Sequence, residues 1–267
     1  MLQNLTLPTV KNIIAVASGK GGVGKTTVTV NLALALQQLG AKVAVFDADI
    51  YGPNVPIMLG VHRRKSSKAF VPVIRRKGAP AYIQPLERYG LKVMSVGLLL
   101  SENQVINPPA SEVGKLVIQT IRDVVWGELD YLLIDLPPSA GQPQEDLLKV
   151  GLVQGVVIVT TPQDLSLLDA GRSLQMFREA DVPILGLVEN MSYFICPNCD
   201  EKHEIFHRSA KWRPKTLADA EVIGRVPLTA VISQGINSAS PLMQSDPDGP
   251  VAQAFLAAAG VLQGKLE

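Results

Sequence analysis

Cysteine is almost absent: the 267-residue chain holds two, Cys196 and Cys199, and they sit together. So few thiols exclude a disulfide-stapled secreted fold, and a close pair in a reducing compartment points instead to metal or redox chemistry. Aromatic residues are scarce, and no apolar run reaches the length that a membrane-spanning helix needs. Neither sign of charge prevails. Twenty-five basic residues face 24 acidic ones, so no global field recruits nucleic acid or an anionic membrane. Met1-Leu2-Gln3-Asn4 begins neither a signal peptide nor an arginine-rich transit peptide, and a cytoplasmic location is expected. What is present is a chain long enough to bury a full core, at 47% hydrophobic residues.

Gly19-Lys20-Gly21-Gly22-Val23-Gly24-Lys25-Thr26-Thr27 organises the rest. It follows the apolar run Ile13–Val16, which reads as a buried strand, and opens into helical spacing over Val28–Leu39 that stops at Gly40. Gly19-xxxx-Gly24-Lys25-Thr26 is the phosphate-binding loop pattern residue for residue. Gly21, Gly22 and Gly24 let the backbone approach phosphate oxygens without a Cβ in the way. Lys25 reaches the β and γ oxygens of ATP, and Thr26 offers its hydroxyl to Mg²⁺.

The second lysine, Lys20, makes the loop resemble the deviant Walker A loop of the family that contains MinD, ParA, the arsenite-pump ATPase and the nitrogenase iron protein. That resemblance implies a homodimer in which Lys20 crosses to the partner's nucleotide and acts in catalysis beside Lys25.

Ala41–Phe46 reads as a second strand, delivering Asp47 and Asp49 at its carboxyl end, the edge where open α/β sheets bind ligands. Two carboxylates so close need a cation, water or lysine between them. The resemblance places Asp49 where the attacking water is oriented, and Asp47 near Mg²⁺ or the loop lysine. Asp130–Asp135 is a hydrophobic strand ending in an acid, the Walker B form, so Asp135 is expected in the Mg²⁺ shell. The run Asp47-Ala48-Asp49-Ile50-Tyr51-Gly52-Pro53, with Pro56-Ile57-Met58-Leu59-Gly60 after it, resembles the Mrp/ApbC branch, as do Leu136-Pro137-Pro138 and Thr161-Pro162-Gln163-Asp164. Asn190 stands at the tip of a strand expected over Ile184–Val188; its amide both donates and accepts, and the family's adenine contact falls there.

The chain departs from that branch at Ser139-Ala140-Gly141-Gln142, where the γ-phosphate-sensing switch is expected, and at Ile106-Asn107-Pro108-Pro109. Slow or partner-dependent ATP hydrolysis is therefore expected. Two basic clusters, His62-Arg63-Arg64-Lys65 and Arg75-Arg76-Lys77, lack interleaved aromatics and read as a solvated insertion rather than a nucleic-acid platform. A hairpin is expected through Ala81–Pro85 and Leu91–Val96, turning at Arg88-Tyr89-Gly90. Helices are expected over Glu112–Val125, Gln163–Ala180, Thr216–Ala220 and Pro250–Leu262, and strands over Gly155–Thr160 and Val222–Val226. The organisation is a lead-in over 1–12 and one domain over 13–264: an α/β, doubly wound, mostly parallel sheet with helices on both faces, of the P-loop NTPase kind.

Cys196-Pro197-Asn198-Cys199 follows directly in a loop near 193–207. Its spacing lets both thiolates face one metal, yet a closed site wants four ligands. Two copies about a two-fold axis supply them. Zinc and a redox dithiol remain open from spacing alone, and His203 and His207 could complete a single-chain zinc site. The Mrp/ApbC resemblance implies a labile [4Fe–4S] cluster shared between two chains and passed to apo iron–sulfur proteins. The alternative is a positioning or partitioning ATPase of the MinD/ParA kind, its dimer stabilised by zinc.

Overall fold

The computed structural model describes residues 5–61, 73–74, 82–99, 109–138, 141–199, 201–206, 214–229, 231, 235 and 238–267. Both basic clusters, Ser139, Ala140, His207 and residues 100–108 of the Pro- and Asn-containing loop lie outside the described residues.

β1 (Val10–Ser18) sorts its side chains by turns: Ile13, Ala15 and Ala17 enter one buried cluster, Ile14 and Val16 the other. That two-residue period presents apolar groups on both faces of the sheet, so both must be covered by helices. After α1 (Lys25–Gln38) come β2 (Val43–Asp47), α2 (Val55–Met58), β3 (Val73–Ile74), β4 (Tyr82–Ile83), β5 (Leu86–Arg88) and β6 (Leu91–Ser95). The middle of the chain gives α3 (Ala110–Asp123), β7 (Leu129–Asp135), α4 (Gln142–Lys149), β8 (Gly155–Thr160) and α5 (Asp164–Glu179). β9 (Ile184–Glu189), β10 (Phe194–Ile195), β11 (Lys202–His203), β12 (Val222–Arg225), α6 (Leu242–Ser245) and α7 (Pro250–Gly264) follow.

The main sheet runs β12-β9-β8-β1-β7-β2-β6-β5. Every neighbouring pair is parallel except β5 with β6, so the expected doubly wound, mostly parallel sheet is what the chain forms. α3, α4 and α5 pack on one face through Val117, Ile121, Leu147, Leu174 and Phe177. α1, α2, α6 and α7 pack on the other, with Leu32, Leu36, Val55, Leu242 and Phe255 fully sealed or nearly so. Burying each such side chain contributes about 1.5–3 kcal/mol. α1 is buried almost all round, lying between the sheet and α7, which explains why its sequence has no charged face beyond Lys25.

Two expectations are corrected and one element is added. The hairpin pairs Leu86–Arg88, not Ala81–Pro85, with Leu91–Ser95, because its loop is the two-residue Tyr89-Gly90. Both loop residues have positive φ, 52° and 76°, as a tight two-residue hairpin loop requires. Tyr82–Ile83 pairs with Val73–Ile74 instead. The helix expected over Thr216–Ala220 is a 3₁₀ turn, Lys215–Leu217, entered from Pro214. α4 was not anticipated; it begins at Gln142, where the departure from the family's switch ends.

Candidate nucleotide site and cysteine hairpin

β1 lies at the point where the strand order runs out in both directions, and its carboxyl end opens a crevice. There the chain turns through Gly19–Gly24 into α1, whose first N–H groups have no partner within the helix. Gly24 caps that helix in the left-handed region at φ 83°. A Cβ on Gly24 would sit 2.2 Å from the Asn190 Nδ2, and one on Gly19 would sit 2.1 Å from the Asp169 carbonyl carbon in α5. Both glycines are thus demanded by close approach as well as by the turn. The cradle is a cavity of about 290 Å³, lined by Lys20, the residues Gly21–Thr27, Asp49, Asn54, Met58 and Pro138. Glycine N–H groups, a helix N-terminus and two lysines together make it a receptor for a polyphosphate.

Behind the loop, the Lys25 Nζ lies 2.8 Å from Asp135 Oδ1, with 7% and 1% of the two side chains exposed. Thr26 Oγ1 donates to Asp135 Oδ2 at 2.7 Å, and Thr29 Oγ1 approaches Oδ1 at 2.7 Å. The loop therefore closes on the Walker B acid. Thr26, which lines the cavity, and the buried Asp135 behind it place hard oxygen atoms side by side, a donor set that suits Mg²⁺.

Asp47 stands elsewhere. β2 pairs with β7 so that Asp47 is the register partner of Asp135, and with β6 so that it is the partner of Ser95. Its Oδ1 accepts from the Asp49 N–H at 3.0 Å; its Oδ2 accepts from the Val55 N–H and the Ser95 hydroxyl, each at 3.2 Å. It is fully buried and does not line the cavity. Burial, and next the neighbouring Asp135 carboxylate, hold the Asp47 carboxyl well above the usual range, while the Asp49 N–H and Lys25 pull the other way. The Asp47 oxygens serve three internal donors and anchor the Asp49 backbone and the first turn of α2, with the loop lysine Lys25 near enough to favour the carboxyl's charge. Asp49 itself lines the cavity, its Oδ1 accepting from the Gly52 N–H at 3.1 Å.

Lys20 lines the cavity, and among the described residues no carboxylate pairs with its ammonium; only its carbonyl is engaged, by the Ser18 hydroxyl at 3.0 Å. Asn190 is buried and its Nδ2 donates to the Val23 carbonyl at 2.8 Å. It braces the loop from behind and is not among the residues that line the cavity. Thr29 and Ser95 were missed by sequence reasoning. Thr29 had one available signal, a hydroxyl one helical turn beyond the loop lysine in an otherwise apolar stretch; Ser95 had none until the register was known.

From Asn190 the chain reaches the cysteines within six residues. Met191 turns at φ 53°, the Ser192 N–H donates to the Val226 carbonyl at 2.9 Å, and the Leu228 N–H donates to the Tyr193 carbonyl at 2.7 Å. β10 and β11 then form a small antiparallel ribbon with Cys196 and Cys199 at its tip, the Cys196 N–H closing the turn onto the Glu201 carbonyl at 3.0 Å. Cys196 is half-buried and Cys199 exposed, and no disulfide joins them. His203 lies on β11 with its Nε2 3.7 Å from a Glu201 carboxylate oxygen. Among the described residues, no group of three or more His, Cys, Asp and Glu side chains is gathered for a metal. None of the described helices is long and apolar enough to cross a membrane.

A family profile described as the NUBPL iron-transfer P-loop NTPase, of the ParA kind, matches residues 9–262. An iron–sulfur cluster carrier protein of Aquifex aeolicus is 41% identical over 268 residues, which cover 100% of this chain and 71% of that relative. A mitochondrial iron–sulfur protein of Arabidopsis thaliana, required for NADH dehydrogenase, is 40% identical over 252 residues, covering 94% of this chain and 77% of that one. Among solved structures, a nucleotide-binding protein from Archaeoglobus fulgidus in complex with ADP superposes with a TM-score of 0.74 at 32% identity, covering 93% of each chain. The cell-division ATPase MinD of Pyrococcus furiosus superposes at 0.66 with 22% identity, over 96% of this chain and 99% of its own, a likeness of fold alone.

Proposed function

Because this chain belongs to the NUBPL iron-transfer family of P-loop NTPases, we propose that it is an ATP-binding, ATP-hydrolysing carrier that holds a labile iron–sulfur cluster and passes it to apo-proteins. The observation that carries the reading is the cysteine ribbon. Two thiols sit at its tip, one of them exposed, six and nine residues after the side chain that braces the phosphate loop. Two thiolates are half of a [4Fe–4S] ligand set, so two copies of the chain joined about a two-fold axis complete it. An exposed, incomplete site suits a cluster that must be handed on. Zinc on the same four thiolates is the competing occupant. The likeness to relatives named iron–sulfur cluster carrier protein supports the carrier over a positioning ATPase.

At the nucleotide site Lys25 turns from Asp135 to the β and γ oxygens, and Asp49 orients the attacking water. Thr26 and Asp135 would hold Mg²⁺, which would supply positive charge to offset that of the phosphates. Asn190 can meet adenine only through its carbonyl oxygen or its second amide hydrogen, since Val23 holds the first. Lys20, free of any carboxylate among the described residues, reaches the partner's nucleotide, so hydrolysis is slow until two chains meet. A cytoplasmic location belongs to the same proposal.

The test is anaerobic reconstitution with iron and sulfide, read by absorption and by iron and zinc content per dimer. One four-iron cluster per two chains is expected, lost in Cys196→Ala. An unchanged cluster signal in that variant removes the assigned ligands. A lone subunit under every nucleotide condition removes the shared site.

A further inference from the structure

A hydroxyl in the middle of α1 needs an explanation. Thr29 is completely buried among Val28, Val30, Leu32 and Ala33, where a valine of the same shape would avoid burying a polar group. The Thr29 Oγ1 lies 3.0 Å from the Lys25 carbonyl one turn earlier and 2.7 Å from Asp135 Oδ1. A threonine has one proton to give, and the carboxylate is the closer and the charged acceptor, so the proton belongs to Asp135. Lys25, Thr26 and Thr29 lie three and four residues apart, hence on one helix face, and all three converge on this acid.

Two of those three have other work once nucleotide arrives. Phosphate-loop chemistry takes the Lys25 ammonium to the phosphates and the Thr26 hydroxyl to Mg²⁺. Asp135 is then a sealed carboxylate with a second sealed carboxylate, Asp47, as its register partner. Of its side-chain donors among the described residues, Thr29 alone remains. We propose that Thr29 is a positioning residue for the hydrolytic site: its hydroxyl holds Asp135 Oδ1 through the nucleotide-bound state and so keeps Oδ2 turned toward Thr26 and the Mg²⁺ position. The inference rests on the ATP–Mg²⁺ reading of this site and goes beyond the loop motif, which ends three residues earlier, at Thr26.

The test measures the affinity of the full chain for ADP and for a non-hydrolysable ATP analogue as Mg²⁺ is titrated, and again in EDTA, for wild type, Thr29→Val and Thr29→Ser. Losing a hydrogen bond to a charged group should raise the half-saturating Mg²⁺ of Thr29→Val roughly tenfold or more. Its affinity in EDTA should stay within about twofold of wild type, and Thr29→Ser should restore the Mg²⁺ response. Thr29→Ala repeats the comparison if the valine chain does not fold. Equal weakening with and without Mg²⁺, or a serine variant as impaired as valine, would mean that the side chain only packs, and overturns the proposal. An unaltered Mg²⁺ response in Thr29→Val overturns it too. Failure of the wild type to bind either nucleotide would instead sink the ATP reading, a separate result.

Discussion

Asp47 and Asp135 are register partners on neighbouring parallel strands, with one lysine, Lys25, between the two carboxylates and the cavity. The lysine touches Asp135, while among the described residues Asp47 has neutral donors only: two backbone N–H groups and the Ser95 hydroxyl. A sheet that brings two acids together at its carboxyl edge is poised to receive cationic charge there. It also leaves Asp47 carrying the loop to Asp49 and the start of α2, whose Met58 lines the cavity. On the proposed reading of the site, Asp135 serves the metal and Asp47 the scaffold.

That division predicts a pH dependence of stability. The Asp47 carboxyl is raised above the usual 3.8 by burial and by Asp135. A raised native value means that the folded chain holds the proton more tightly than the unfolded one. The resulting stability is present at low pH and is lost as pH rises through the folded-state value. Asp47→Asn removes the titration and retains a carbonyl oxygen for the Asp49 N–H. The difference in melting temperature, variant minus wild type, should therefore become more positive from about pH 4 toward neutrality, while ATP hydrolysis falls because the new amide NH2 cannot accept from the Val55 N–H that starts α2. Parallel stability profiles for the two chains would remove Asp47 as a buried titrating group.

How much of this could be read from the chain alone depends on where each interaction is encoded. Gly19–Thr27 is legible because its chemistry is local: backbone, lysine and hydroxyl are contiguous, and the flanking apolar runs announce a strand and a helix. Asp135 is legible for the same reason, as an acid ending a hydrophobic strand. Asp47 was placed at the correct sheet edge, but its hydrogen-bond partner Ser95 and its neighbour Asp135 come from the register of β2 against β6 and β7. Ser95 was invisible for that reason. The hairpin was shifted because Arg88 was read into the turn, whereas the positive φ values fall on Tyr89 and Gly90 alone. α4 carries Pro143 and few apolar residues, so its helical period is faint until Leu147 is seen entering the core.

Two glycines of the loop separate backbone strain from crowding. Gly22 and Gly24 have nearly the same φ, 81° and 83°, but a Cβ on Gly22 meets nothing within 4 Å. Gly22→Ala should therefore lower the stability of the nucleotide-free chain by about 1–2 kcal/mol, the cost of a left-handed L-residue. Gly24→Ala bears that cost and also drives the Asn190 amide from its place 2.2 Å away. The larger loss expected for Gly24→Ala is measured by denaturant unfolding without nucleotide. Equal losses in the two variants would show that Asn190 yields freely and is no brace.

Asn190 has two candidate roles, and one ligand pair tells them apart. As a brace, its amide holds the Val23 carbonyl at 2.8 Å and thereby fixes the loop that receives the phosphates. As an adenine contact it would touch only the base. Asn190→Ala should then weaken pyrophosphate and ADP alike if the brace dominates, by about five- to tenfold for one buried hydrogen bond of roughly 1–1.5 kcal/mol. If the base contact dominates, ADP alone weakens and pyrophosphate binds as before. Isothermal titration of both ligands into both chains reads the ratio directly. The buried position and the engaged amide argue for parallel losses, and a selective loss of ADP affinity would return Asn190 to the adenine pocket.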